Sequence, residues 1–169
     1  MYIYKRRVIV LAGIPGAGKS TLAAHLIQDF LSQSSQNRAR VFSADDHMVD
    51  EQGRYQFDSR RLTECHGLNL GGFTRALLRL DDSPPDLMVV DNTACAAHEV
   101  APYAELALSQ GAALRTLVVL CDPEAASARC IHNVDPAHVY RRHLQLTREY
   151  PTFPPRWNVD VVWNNQPSL

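Results

Sequence analysis

Gly13-Ile14-Pro15-Gly16-Ala17-Gly18-Lys19-Ser20-Thr21 follows the apolar run Val8-Ile9-Val10-Leu11 and precedes Leu22-Ala23-Ala24-His25-Leu26-Ile27. The order reads as strand, glycine-rich turn and helix. Glycine tolerates backbone angles that a Cβ blocks, so successive N–H groups in such a turn can converge on phosphate oxygens. The start of the following helix adds partial positive charge. In this pattern Lys19 is placed to reach the β and γ phosphates and Ser20 to ligate Mg²⁺, which makes Gly13–Thr21 a nucleotide cradle and ATP with Mg²⁺ the implied cofactors.

Working outward, each later apolar run ends on chemistry-bearing residues. Arg40-Val41-Phe42-Ser43 reads as a strand that delivers Asp45 and Asp46, and Leu87-Met88-Val89-Val90 reads as a buried strand that delivers Asp91-Asn92-Thr93. Leu114 to Cys121 and Val159 to Trp163 supply two more strands. Helical spacing occupies Ser20 to Leu31, Ser59 to Leu80, His98 to Gln110, Pro123 to Arg129 and Pro136 to Glu149. Gly67, Gly71 and Gly72 weaken the second helix. Gly111 is placed to end the third, and Asp122-Pro123 reads as a cap with proline in the first turn. Val49 to Phe57 reads as an irregular excursion. Strands alternating with helices predict an α/β fold, a five-stranded parallel sheet with helices on both faces. In such sheets ligands sit beyond the carboxyl ends of the strands.

The chain has 169 residues and a formal net charge of −1. That length fits one domain over residues 1–169. The charge balance argues against wrapping a nucleic-acid duplex by bulk electrostatics, leaving local grip by a few arginines. Lys5 and Lys19 are the only lysines, so Lys19 has almost no rival as the phosphate-binding ammonium. Cys65, Cys95, Cys121 and Cys130 form no C-x-x-C pair, and Cys130-Ile131-His132 matches no usual zinc spacing. Neither a signal peptide nor a membrane span is expected, and a cytoplasmic location follows from that reading.

Phosphoryl transfer needs an acceptor oxygen held in line, neutralised γ-phosphate charge and a carboxylate to take a proton. Asp45 is the candidate base, with capping of a turn by Asp45 and Asp46 as the other reading. Asp91 fits the acidic position that helps hold Mg²⁺, with capping again the alternative. Asp46, Asn92 and Thr93 are assigned to the acceptor side, and Arg129 to γ-phosphate charge. Arg141 and Arg142 read as a solvated helix face. Tyr55 and Phe57 suit local core better than stacking on an acceptor base, and His47 and His132 suit ordinary surface roles better than phosphate contact.

Taken together, these segments resemble the P-loop polynucleotide 5′-hydroxyl kinases, the family of the phage enzyme's kinase domain within the adenylate-kinase-like group. The matches are Gly13–Thr21, Ser43-Ala44-Asp45-Asp46, Gly53-Arg54-Tyr55-Gln56-Phe57, Val89-Val90-Asp91-Asn92-Thr93 and Arg129-Cys130-Ile131-His132-Asn133-Val134. The resemblance implies sheet order 2-3-1-4-5, a lid beginning at Arg129, Asp45 as general base and Arg129 facing ATP phosphates. It also implies a hydroxyl acceptor, with the 5′-OH of DNA or RNA as the first choice. Met48 stands where the phage-type enzymes carry an arginine that grips an acceptor phosphate, and no second lid arginine falls near Asn133. A nucleoside or small metabolite therefore stays open as acceptor, and so does an ATP-binding regulator that transfers nothing.

Overall fold

The structure is a computed structural model and describes residues 6–130 and 134–164. Five strands, β1 (Arg7–Ala12), β2 (Ala39–Phe42), β3 (Leu87–Asp91), β4 (Ala113–Leu120) and β5 (Val159–Trp163), pair in parallel in the order β2-β3-β1-β4-β5. Five α-helices connect or follow them: α1 (Lys19–Ser32), α2 (Leu62–Leu77), α3 (Ala97–Ser109), α4 (Pro123–Arg129) and α5 (Pro136–Glu149). The expected parallel sheet and its strand order are what the chain forms.

Alternation along the central strands explains the layering, because successive side chains leave a strand on opposite faces. Val8, Val10 and Ala12 of β1, with Met88 and Val90 of β3, enter a core built with Phe73 and Leu77 of α2, Val100, Tyr103 and Ala104 of α3, and Val139 and Leu146 of α5. Leu11, Leu87, Val89 and Leu117 point to the other face, where Ala23 and Phe30 of α1 meet them. Helices therefore cover both faces, with α1 on one and α2, α3 and α5 on the other.

One local expectation is corrected. The second helix does not falter at its glycines: α2 runs unbroken from Leu62, and no atom lies within 4 Å of where a Cβ on Gly67, Gly71 or Gly72 would stand. Those glycines sit on an open surface, so burial of the opposite face outweighs their propensity cost. The stretch from Val49 to Phe57 forms no helix or named strand, as expected, yet it is held by backbone bonds. Val49 bridges Tyr55, the Asp50 N–H donates to the Arg54 carbonyl at 2.8 Å, and the Gln56 N–H donates to that of Met48 at 2.8 Å. Gly53 turns this hairpin at φ +75°.

The two helix-end expectations hold. Asp122 caps α4 by accepting from the Glu124 and Ala125 N–H groups, each at 2.9 Å. Gly111 follows α3 at φ +66°. The four cysteines are free thiols. Among the described residues no helix is long and apolar enough to cross a membrane. Ile131, His132 and Asn133 of the expected lid lie outside the described residues.

Candidate active site

Beyond the carboxyl ends of β1, β2, β3 and β5, and at the last turn of α4, the chain encloses a cleft of about 470 Å³. Pro15, Gly16, Gly18, Lys19, Ser20 and Thr21 line it, opposite Asp45, Asp91, Thr93, Arg129 and Cys130. Gly13, Ile14 and Ala17, also assigned to the cradle, are buried beneath it.

The loop is held by bonds that reach far along the chain. The Gly13 N–H donates to the Ala94 carbonyl at 2.8 Å, and the Asn164 side-chain amide donates to the Ala17 carbonyl at 2.8 Å. Asn164 is itself fixed as an extension of β5, its N–H reaching the Leu120 carbonyl at 2.8 Å. Gly16 and Gly18 take φ of +75° and +88°. A Cβ on Gly16 would run into the Ala126 carbonyl of α4, and one on Gly18 into the Asn164 amide. Gly18 leads into α1, whose first N–H groups have no partner within the helix and are available to an anion.

Lys19 is only 7% exposed, and its Nζ donates to the Ile14 carbonyl at 2.8 Å. Burial lowers its pKa; Asp91 does most to offset this, followed by Cys95, Cys121 and Asp45. The ammonium thus sits in the floor of the cleft, bonded to a backbone carbonyl. A phosphate arriving there would supply charge-assisted bonds of the stronger kind.

Asp45 stands on a short 3-10 turn, Ala44–His47, whose cap is Ser43: its hydroxyl accepts from the Asp45 N–H at 3.3 Å. Capping therefore falls to Ser43, and the Asp45 side chain lines the cleft. Asp46 is exposed and is not part of the cleft wall. Asn92, expected on the acceptor side beside Thr93, is turned inward and is 8% exposed. Its Oδ1 accepts from the Ala44 N–H at 2.8 Å, and its Nδ2 donates to the Tyr103 hydroxyl at 3.1 Å. Asn69 donates to that hydroxyl at 3.1 Å. Asn92 is therefore a tie between β3 and the turn that carries Asp45, holding that turn against the strand that ends in Asp91. Thr93 does line the cleft, and it also borders a cavity of about 330 Å³ among His66, Leu70, His98 and Tyr103.

Arg129 ends α4 in the cleft wall and interacts with Cys121, whose thiol is pushed up by burial and held back mainly by that guanidinium. Arg141 is exposed, as expected of a solvated face. Arg142 is corrected: its side chain is 17% exposed and grips both Glu99 oxygens at 2.7 and 2.8 Å. Glu99 in turn accepts from the Cys95 and Ala96 N–H groups at 2.7 and 2.9 Å, which fixes the chain just after Thr93. Tyr55 and Phe57, expected in the local core, are 42% and 57% exposed.

Residues 8–149 match the profile of a family described as an AAA domain. The chain belongs to that family. Over 140 residues, 79% of its length, this AAA-domain chain is 33% identical to NEDD4-binding protein 2 of Homo sapiens, of which it spans 7%. Among solved structures it is similar to shikimate kinase from Acinetobacter baumannii in complex with shikimate, with TM-score 0.56 and 20% identity over 96% of this chain and 86% of that one. The tunicamycin resistance protein of Deinococcus radiodurans aligns with TM-score 0.51 and 13% identity over 93% of this chain and 85% of that one. At these identities the likeness concerns the fold alone, the five-stranded parallel sheet flanked by helices. The expected polynucleotide kinase resemblance is met at this coarser level.

A group of three or more His, Cys, Asp or Glu able to enclose a metal ion is absent among the described residues. What the cleft offers is the Ser20 hydroxyl and the Asp91 carboxylate, two hard oxygen donors. That set fits Mg²⁺, which takes one or two protein oxygens and completes its shell with phosphate and water.

Proposed function

We propose that this chain is an ATP- and Mg²⁺-dependent kinase that moves the γ-phosphate to a hydroxyl acceptor, with the 5′-hydroxyl of a polynucleotide as the leading acceptor. The observation that carries the reading is the convergence of Lys19, Ser20, Asp45, Asp91 and Arg129 on one cleft, although they come from four separate stretches of sequence. In this reading the Gly16–Thr21 backbone and Lys19 cradle the β and γ phosphates. Ser20 and Asp91 hold Mg²⁺, which neutralises charge on the triphosphate when bound. Asp45 orients the acceptor hydroxyl and takes its proton as the oxygen–phosphorus bond forms, while the bond to ADP breaks. Arg129 adds positive charge to the transferring group.

Incubation with γ-labelled ATP and a panel of 5′-hydroxyl DNA and RNA oligonucleotides, nucleosides and sugars tests it. Label transferred to an oligonucleotide is expected. Transfer only to small molecules would make the chain a metabolite or nucleoside kinase. ATP binding without transfer to any acceptor would leave a nucleotide-dependent regulator.

A further inference from the structure

The hairpin beside Asp45 is built to present two aromatic rings. Asp50 organises it: its carboxylate accepts from the Gln52 and Arg54 N–H groups and from Arg54 Nε, each at 2.9 Å. Tyr55 lies at the near end, close enough to Asp45 and Cys130 that both bear on its phenol, whose pKa is raised first by burial and then by them. Both neighbours line the cleft. Phe57, two residues on, is the more exposed ring. A phenylalanine left 57% exposed, in a hairpin whose Gln56 N–H bonds to the Met48 carbonyl and through the Met48 N–H to that of Asp45, asks for a partner.

Charge says what that partner is not. Met48 is fully buried against Ala44 and Cys65, so no cation stands at its position. The guanidiniums flanking the rings each have a carboxylate: Arg54 pairs with Asp50 at 2.8 Å, Arg60 with Asp58 at 2.9 Å and Arg61 with Glu64 at 3.3 Å. Arg61 also donates to the His47 and Val49 carbonyls, both at 3.2 Å, bracing the chain on either side of Met48. The surface facing an acceptor is thus charge-compensated and aromatic.

Building on the kinase reading, we propose that the acceptor is held by its nucleobase, stacked on Tyr55 and Phe57, and not by a phosphate clamp. Base stacking on an aromatic ring tolerates every base, and each stacked base changes affinity by about 5- to 150-fold. Because few phosphate counterions are displaced, binding should depend weakly on salt.

The test compares transfer from labelled ATP to a short single-stranded 5′-hydroxyl oligonucleotide, a nucleoside and base-free ribose, for the wild type, Tyr55→Ala/Phe57→Ala and Tyr55→Phe/Phe57→Trp. The wild type should use the base-bearing acceptors far better than ribose. The double alanine variant should raise the KM of the best acceptor by about 10²-fold or more while the KM for ATP stays put, and the aromatic replacements should restore it. Circular dichroism and an unchanged ATP KM separate a lost contact from a lost fold. Preference for the oligonucleotide supports two stacked bases, and equal use of the nucleoside supports one. Ribose used as well as the nucleoside, an alanine variant with unaltered acceptor KM, or a steep fall in affinity with salt would each overturn stacking while leaving the kinase reading intact. ATP binding with no transfer to any acceptor would overturn both.

Discussion

On one wall of the cleft Lys19 is 7% exposed, tied to Ile14, and the loop around it is clamped by Ala94 and by Asn164 from the far end of the chain. On the side proposed for the acceptor, the hairpin of Tyr55 and Phe57 stands 42% and 57% exposed, shaped by Asp50 within its own few residues. The phosphate wall is fixed by long-range bonds and by backbone angles that only glycine takes easily. The proposed acceptor side is a chain of short capped turns, Ser43 over Asp45, Asp50 over the hairpin and Asp58 over Arg60, each closed by local bonds. A triphosphate is invariant chemistry and rewards a rigid cradle; acceptors differ, and a locally built wall can differ with them.

The sharpest break in this comparison comes from Lys19→Met, which keeps most of the side-chain length. Loss of the only cation contributed by the loop should abolish detectable transfer from labelled ATP. Thermal unfolding should show a melting temperature unchanged or higher, because burial already disfavours the charged lysine and the variant removes that cost. A large drop in melting temperature alongside the lost activity would mean that the lysine holds the loop together, more than its one carbonyl bond among the described residues suggests.

Asp45→Asn attacks the opposite wall. Transfer should fall about 10²- to 10⁴-fold, the usual worth of a positioned base, while ATP affinity measured by titration stays within a factor of two or so. Equal activity would return Asp45 to a purely structural part.

Between the two walls stands Asn92, and Asn92→Ala asks whether it is a tie or an acceptor contact. As a tie it leaves the buried Ala44 N–H without its acceptor and Tyr103 with one bond fewer, a cost of about 1–3 kcal/mol. For a chain of this size that is a fall of roughly 2–12 °C in melting temperature, accompanied by a lower kcat as the Asp45 turn loosens. A higher acceptor KM at unchanged melting temperature would restore the acceptor-side assignment.

The pattern of what was legible follows the same division. Buried strands announce themselves as apolar runs, and the spacing of Gly16, Gly18 and Lys19 between a strand and a helix suggests the cradle. Asp45 and Asp91 could be found because strand ends in a parallel sheet are where ligands sit, and Asp122-Pro123 because a cap and its proline are adjacent. Asn164 was not legible: its bond to Ala17 spans 147 residues of sequence. The strand-end rule applied to β5 would have directed attention to it. Arg142 was misread because helical position does not reveal that Glu99, on another helix, waits opposite it. Tyr55 and Phe57 were misread because apolar character favours burial unless something else uses the ring.

A last, small prediction lies away from both walls and serves as their control. Glu105 of α3 accepts from Arg156 at 2.6 Å and from the Trp157 indole at 2.7 Å, and these bonds, Arg156 first, hold its carboxyl below the ordinary glutamate range. A carboxyl depressed in the folded state lends stability above its unfolded pKa of about 4.5 and loses it as pH falls through the folded value. The group is exposed, so solvent screens the effect and it should be the slightest of the set. Melting curves taken from about pH 7 down to about pH 3 should therefore show a shallower acid decline for Glu105→Gln than for the wild type, with transfer activity unaltered. If instead the variant loses activity at neutral pH, the docking of the Pro155–Trp157 turn onto α3 reaches the cleft through β5 and Asn164, and the phosphate wall extends further into the fold than its direct contacts indicate.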